Sequence, residues 1–140
     1  MKKIMGIDYG TARIGIAVSD ALGIVANPVG TVNEKHFPRQ VSLVAGIVEQ
    51  HKPNKVVFGL PRNMDGTEGG SAALVREFAE KLGERTGVPV EFIDERLTTV
   101  SAHKMLNEMQ MTGSKKRREV IDTLSAVIIL QNYLDKKEVL

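Results

Sequence analysis

The N-terminal part of the chain alternates short apolar runs with turn residues, and within these runs the apolar positions recur with a period close to two. The runs predict three strands, over residues 2–10, 13–20 and 23–32. A short Gly-Thr turn joins the first two strands, which we therefore expect to form an antiparallel hairpin. Pro28 has no backbone N–H to donate to a neighbour, so the third strand should lie at an edge of the sheet.

The rest of the chain changes between helical spacing and short continuous apolar runs. In chain order, this pattern predicts a helix over 37–52, a strand over 55–59, a helix over 71–87, a strand over 88–94 and two helices over 98–109 and 117–137. Ser71 is expected to cap the second of these helices at its N-terminus. The apolar face of that helix is predicted to consist of Leu74, Val75, Phe78, Ala79 and Leu82.

This order of elements predicts an α/β fold built on one mixed five-stranded sheet flanked by helices. A three-strand antiparallel meander is followed by two parallel strands, each reached through a right-handed crossover. We expect residues 1–140 to form a single domain. The carboxyl ends of the parallel strands should meet at one edge, where open α/β sheets bind ligands. The segments at this edge are "DYGT", "GLPRNMDGTEGG" and "DERLTT".

Carboxylates are expected to converge at that edge. Asp8 ends the first strand, and the fifth strand ends in the adjacent acids Asp94 and Glu95, between which the residues alone do not decide. Asp122 lies in the last predicted helix, which is apolar almost all round, so a carboxylate in its first turns needs a partner or a cation. Oxygen ligands of this kind suit Mg²⁺, and paired metal ions can support displacement at a phosphodiester.

The composition narrows the class of protein. Of the 140 residues, 42% are hydrophobic and 26% charged, as in ordinary globular proteins, and none is cysteine. The absence of cysteine excludes disulfides and thiolate zinc sites and suits a cytoplasmic protein. The apolar stretch near the N-terminus is too short for a signal peptide. No run reaches the ~18 apolar residues of a membrane span, so we expect no membrane partner.

The distribution of positive charge is more informative than the net charge of +2. Four cations stand together in "GSKKRRE", a few residues before Asp122, where they would hold phosphates beside the acidic edge. The alternative is a solvated loop. The loop "PRNMDGTEGGSA" also leads into a helix N-terminus, which can bind phosphate through backbone N–H groups, although a plain surface loop remains open.

Four segments of the chain resemble, in order, the motif blocks of the YqgF family, also called RuvX. They are "GIDYGTARIGIAVSD", "VVFGLPRNMDGTEGG", "FIDERLTT" and "IDTLSAVIILQNYL". The resemblance covers essentially the whole chain and implies a ribonuclease H-like fold, similar to that of Holliday junction resolvases. It also implies that Asp8, Glu95 and Asp122 are the catalytic acids and metal ligands, with Mg²⁺ or Mn²⁺ as cofactor, and it selects Glu95 over Asp94.

The activity that this resemblance implies is metal-dependent endonucleolytic hydrolysis of structured nucleic acid. For the family this means 5′-end maturation of pre-16S rRNA in ribosome biogenesis, with precursor rRNA or a pre-ribosomal particle as partner. A Holliday junction resolvase acting on branched DNA is the alternative. Both monomer and homodimer stay open, and a resolvase should be dimeric because it makes two symmetric cuts. The expected nucleic-acid-binding residues are Arg13, Arg62, Arg96, Lys115, Lys116, Arg117 and Arg118.

Simpler interpretations compete at several positions. On the residues alone, Asp8 can be a turn former and Asp122 a favourable charge near a helix N-terminus. Asp20 and Asp65 stand in turn sequences and are expected to be turn residues only. "DYGT" followed by Arg13 also resembles the phosphate-binding turn of sugar kinases and actin-like ATPases, but no second Asp-x-Gly motif follows a strand. ATP binding is therefore a lower-ranked alternative. Non-catalytic RNA binding is another, because three acids without a demonstrated metal are only a potential site.

Overall fold

The chain is organised around a five-stranded mixed sheet, seen in a computed structural model that describes residues 2–94 and 114–138. In chain order the elements are β1 (Ile4–Asp8), β2 (Arg13–Ser19), β3 (Ala26–Asn33), α1 (Phe37–His51), β4 (Lys55–Leu60), α2 (Gly70–Thr86), β5 (Val90–Asp94) and α3 (Ser114–Glu138). The strand order is β3-β2-β1-β4-β5. The pairs β1–β2 and β2–β3 are antiparallel, whereas β1–β4 and β4–β5 are parallel. The predicted α/β architecture is confirmed.

The two faces of the sheet are covered by different helices. Side chains alternate across a strand, so Met5 and Ile7 of β1 point into a core shared with α1 and α2, while Ile4 packs with α3 on the other face. Strand β4 is an internal strand parallel to both of its neighbours, and its buried run includes Val57 on the α3 face and Phe58 on the other. A parallel strand buried on both faces explains why "KVVFG" is continuously apolar rather than alternating.

Helix α3 lies unusually close to the sheet because glycines stand beneath it. A Cβ atom on Gly6 would lie 2.7 Å from the Cβ of Leu130, and one on Gly15 would lie 1.9 Å from the carbonyl oxygen of Asp122. Any larger residue at Gly15 would therefore overlap the helix backbone. The two glycines set the distance of α3 from β1 and β2 and bring the third turn of the helix, which carries Asp122, directly over the β1–β2 hairpin.

The other half of α3 is tied to the sheet by a polar cluster. The Nζ of Lys55 on β4 donates to Glu91 Oε1 at 2.9 Å and to Tyr133 Oη at 3.1 Å, and the Tyr133 hydroxyl donates to the Glu91 carboxylate. The hydrogen bond to Glu91 raises the pKa of Lys55 most, and the bond to Tyr133 adds to this effect. The cluster anchors α3 to β4 and β5 through groups that satisfy one another.

Strand β3 lies at the edge, as Pro28 predicted. The β2–β3 register passes from Ile16 opposite Gly30 to Ala17 opposite Pro28, so Val29 is an extra, bulged residue. A bulge beside a proline interrupts the regular row of donors and acceptors on an exposed edge, which is how natural sheets discourage pairing with a second chain.

Three details of the predicted helices are wrong. Helix α3 begins at Ser114 rather than at residue 117, because the Lys and Arg residues that follow are good helix formers. The four basic residues therefore belong to the first turns of the helix, and Asp122 lies two turns inside it. Helix α2 begins at Gly70, with Gly69 and not Ser71 at its N-cap and no side-chain cap bond.

The third error concerns the face of α2. Leu74 is 44% exposed, whereas Val75, Phe78 and Leu82 are buried, because Leu74 sits at the margin of the stripe that meets α1 and the sheet.

The helix predicted over 98–109 lies outside the described residues. Within the part of the chain that the structure describes, no helix has the length and apolar character to cross a membrane.

The close contact between Gly15 and α3 can be tested with two glycine-to-alanine variants, whose free energies of unfolding should change in opposite directions. Gly15→Ala should lower the free energy of unfolding by roughly 1–3 kcal/mol or more, because the added methyl must displace the α3 backbone. Gly46→Ala, at an exposed position of α1 where an added Cβ meets no described atom within 4 Å, should raise it by about 0.5–1 kcal/mol. Urea denaturation of both variants measures the difference. Equal effects would show that α3 does not depend on the gap at Gly15.

Candidate active site

Asp8 ends β1 at the carboxyl edge of the parallel strands, beneath α3. Its cross-strand partner is Gly15, and directly paired residues of neighbouring strands project to the same face. Because the Asp122 carbonyl sits over Gly15, Asp8 and Asp122 occupy the same face at the same end of the sheet. The tight turn after Asp8 depends on Gly10, where a Cβ would lie 2.5 Å from the Arg13 carbonyl oxygen.

Arg13 joins these two acids as a third charged group. It is the first residue of β2 and shares the α3 face with Gly15, and its Nε donates to Asp122 Oδ2 at 2.7 Å. The Asp122 side chain is 18% exposed and that of Arg13 36% exposed, so the ion pair lies partly out of water. Arg13 was predicted to bind nucleic acid; in this structure its Nε is committed to a carboxylate.

Of the two adjacent acids at the end of β5, only Asp94 belongs to the described residues. Asp94 is paired with Leu60, whose side chain belongs to the core under α1 and α2, so alternation assigns Asp94 to the face opposite Asp8. Glu95 and Arg96 lie outside the described residues. Among residues 2–94 and 114–138, no group of three or more acidic or histidine side chains forms a metal-binding cluster. Of the predicted triad, Asp8 and Asp122 lie on one face at the same end of the sheet.

The loop between β4 and α2 is internally ordered. Asp65 Oδ1 accepts hydrogen bonds from the backbone N–H of Thr67 at 2.9 Å and from its hydroxyl at 2.6 Å, which confirms Asp65 as a turn residue. Glu68 receives two hydrogen bonds from Arg76, each at 2.9 Å, and these lower the pKa of Glu68. Arg62 lies farther from that carboxylate, at 4.0 Å, and its side chain is 37% exposed.

Asp20 is likewise a turn residue, as predicted. Its Oδ1 accepts hydrogen bonds from the backbone N–H groups of Ile24 at 2.7 Å and Val25 at 3.2 Å, and these bonds lower the pKa of Asp20. It lies just beyond β2, at the end of that strand opposite Arg13. It is therefore a carboxylate remote from Asp122.

Gln40 is a buried polar residue that the sequence pattern did not single out. It lies on the apolar stripe of α1, one turn before Val44, and only 1% of its surface is exposed. Its side-chain Nε2 donates to the carbonyl of Thr11 at 3.1 Å, and its Oε1 accepts from the Tyr9 hydroxyl at 2.8 Å. The available signal was a polar residue at a position where the helical period demands an apolar one.

The Arg13–Asp122 pair can be measured by a double-mutant cycle. Arg13→Gln, Asp122→Asn and the double variant, unfolded in urea, should give a coupling free energy of about 0.5–1 kcal/mol, because the pair is direct and half-shielded. The matched control is Lys81–Glu84, an i,i+3 pair separated by 3.8 Å whose side chains are 54% and 58% exposed. We expect no measurable coupling there. Equal coupling in the two cycles would contradict a specific bond at the site.

Comparison with known proteins finds relatives that match this chain over nearly its whole length. A protein from Endomicrobium trichonymphae is 44% identical over 135 residues, which span 96% of each chain. One from Clostridioides difficile is also 44% identical over 135 residues, spanning 96% of this chain and 95% of that protein. Both bear the provisional name pre-16S rRNA nuclease.

Solved structures resemble the fold at low sequence identity. RuvC of Thermus thermophilus, in complex with a Holliday junction, superposes with a TM-score of 0.62 at 14% identity, over 99% of this chain and 96% of that one. A fowlpox virus resolvase bound to junction DNA gives a TM-score of 0.61 at 10% identity, over 96% and 98%. A family model described as RuvX, Holliday junction resolvase, matches residues 2–136. The chain therefore belongs to the RuvX family.

Proposed function

We propose that this chain is a metal-dependent endonuclease that hydrolyses phosphodiester bonds of structured RNA, and that its substrate is precursor 16S rRNA at its 5′ end. The observation that carries the proposal is the convergence of Asp8 and Asp122 on one face, at the carboxyl end of β1. Arg13 offsets only one of the two negative charges, so the repulsion between the carboxylates favours a further cation at this position. The provisional name shared by the relatives supports the choice of substrate.

The donor set fits a hard divalent cation. Asp8, Asp122 and Glu95 would hold Mg²⁺ or Mn²⁺ through carboxylate oxygens, the ligands that these ions prefer. When bound, such an ion supplies Lewis acidity to a phosphate oxygen and lowers the pKa of a water molecule. Arg13 contributes from the protein side: its bond to Oδ2 fixes the orientation of the Asp122 carboxylate and offsets one negative charge.

The first turns of α3 would supply the contacts to the nucleic-acid backbone. Cations at the N-terminal end of a helix oppose its dipole, so a cluster there is stabilised by an anionic ligand. The same charges would counter the repulsion between a phosphate and the acids at the sheet edge. We assign phosphate binding to Lys115, Lys116, Arg117 and Arg118 in these turns, together with Arg62 and Arg96.

Branched DNA is the second candidate substrate, because the family model is described as a Holliday junction resolvase. Resolution needs two symmetric cuts and hence a dimer, whereas trimming one rRNA end needs a single site. We propose that the chain acts on precursor rRNA in a pre-ribosomal particle in the cytoplasm, either as a monomer or as a homodimer with two independent sites.

The first test concerns the acids. Asp8→Asn should lower the rate of cleavage of a precursor 16S rRNA fragment in Mg²⁺ or Mn²⁺ by more than about 100-fold, because a charged ligand is lost. The free energy of unfolding should not fall, since repulsion between carboxylates is relieved. Asp20→Asn is the matched control: it makes the same chemical change in a turn carboxylate at the other end of β2.

Two results would contradict the proposal. Full activity of Asp8→Asn would remove Asp8 from the mechanism. A wild-type chain that cleaves a four-way junction and leaves the precursor rRNA intact would replace the proposed substrate by branched DNA while preserving the site.

The second test separates binding from chemistry. Changing Lys115, Lys116, Arg117 and Arg118 to neutral residues should weaken RNA binding uniformly across sequences. It should also flatten the slope of log affinity against log salt by about 0.7–0.9 for each phosphate that the protein no longer neutralises. Cleavage at saturating RNA should fall less than affinity, because the carboxylates are unchanged.

A control variant keeps the change of net charge the same. It neutralises four exposed cations: one just before α1, one on α1 and two on α2. These are Lys35, Arg39, Lys81 and Arg85. These lie on the side of the sheet opposite α3, so affinity and salt slope should change little. If both variants show the same fall in affinity, binding depends on net charge and not on the first turns of α3.

A further inference from the structure

The side chain of Gln40 is hydrogen-bonded inside the protein through both its amide nitrogen and its carbonyl oxygen. Only 1% of its surface is exposed. Its Nε2 faces three carbonyl oxygens, those of Gly10 at 3.3 Å, Thr11 at 3.1 Å and Glu34 at 2.6 Å. Its Oε1 accepts the hydroxyl of Tyr9 at 2.8 Å. A buried amide is costly to place in a core unless it is satisfied in this way, and such networks hold one backbone arrangement in preference to others.

The groups that Gln40 holds belong mainly to the turn between β1 and β2, residues 9–12. Asp8 immediately precedes this turn and Arg13 immediately follows it. A further bond, from the N–H of Glu34 to the carbonyl of Ala12 at 3.1 Å, ties the same turn to the end of β3. The turn therefore connects Asp8 directly to Arg13, the carboxylate and the guanidinium of the candidate site.

The turn is fixed from the face opposite the acids. Tyr9 points toward α1 and α2, where its ring stacks on Phe78 with the centroids 4.4 Å apart. Asp8 and Arg13 project to the α3 face instead. Gln40 can thus control where the charged groups stand without touching them or any ligand that they bind.

We propose that Gln40 is a positioning residue for the acidic site: it locks the turn of residues 9–12 from behind and thereby sets the placement of Asp8 and Arg13 relative to Asp122. This inference rests on the proposed function for its catalytic consequence. Its consequence for metal binding and for the order of the turn is independent of which nucleic acid is cleaved.

The test compares two variants of the same helix. Gln40→Met keeps the length of the side chain and removes every hydrogen bond, whereas Val44→Ala weakens the same buried stripe one turn later without touching the turn. Each is measured well below its unfolding temperature, so that a general loss of stability is common to both.

Three measurements are made on the whole chain: Mn²⁺ affinity by calorimetry, amide exchange of residues 9–13 by mass spectrometry, and kcat and KM on a precursor rRNA fragment. For Gln40→Met we expect Mn²⁺ affinity to weaken by about 10- to 100-fold, as for other partners that orient metal ligands. Exchange in the turn should accelerate, and kcat should fall while KM for RNA is unchanged. For Val44→Ala all of these values should match the wild type.

The inference is overturned if Gln40→Met binds Mn²⁺ with wild-type affinity and its turn exchanges no faster than that of Val44→Ala. Should Gln40→Met fail to fold, Tyr9→Phe removes only the hydroxyl bond and should give a smaller shift in the same direction. If the wild type cleaves no nucleic acid, the proposed function fails, while affinity and exchange still decide the role of Gln40. A wild type that binds no Mn²⁺ would overturn both.

Discussion

The close approach of α3 to the β1–β2 hairpin is the constraint on which the rest of the structure depends. It exists because Gly6 and Gly15 leave no side chain between the strands and the helix. Layers packed face to face on a sheet normally lie about 10 Å away, separated by side chains. Here the backbone of α3 at Asp122 rests on the strand itself. An acid on the helix is thereby brought level with an acid at the end of β1.

This geometry also determines the electrostatics of the face. A carboxylate on an apolar helix is unfavourable unless it is paired, and Arg13, at the start of the strand beneath, supplies a partner for Asp122. At the other end of α3, the side chains of Lys55, Glu91 and Tyr133 are hydrogen-bonded to one another. The helix is thus held by an apolar centre with a charged contact on each side. At the sheet's carboxyl edge a second carboxylate, Asp8, lies on the same face as the Arg13–Asp122 ion pair, and this is where a further cation would be stabilised.

Much of this arrangement could be predicted from local patterns. Alternation and helical spacing located the strands and the first two helices, and Pro28 identified the edge strand, because each of these signals depends on a few neighbouring residues. The resemblance in four motif blocks pointed to Asp8 and Asp122, and the structure brings these two residues to one face. What the sequence could not provide depends on contacts between distant segments. The role of Gly15 is defined by its contact with Asp122, more than a hundred residues later, and the partners of Gln40 include backbone carbonyls, which carry no sequence signature.

The Arg13–Asp122 bond joins residues 109 positions apart, and this separation has a consequence for folding. Contacts of such high sequence separation form late, because the loop they close must first lose its conformational freedom. The hairpin that carries Asp8 can form from local interactions as the chain emerges during synthesis. It lacks its opposing acid until α3 docks. A partly folded chain therefore holds only a fragment of the candidate site, and its two acids come to one face only when α3 packs on the hairpin.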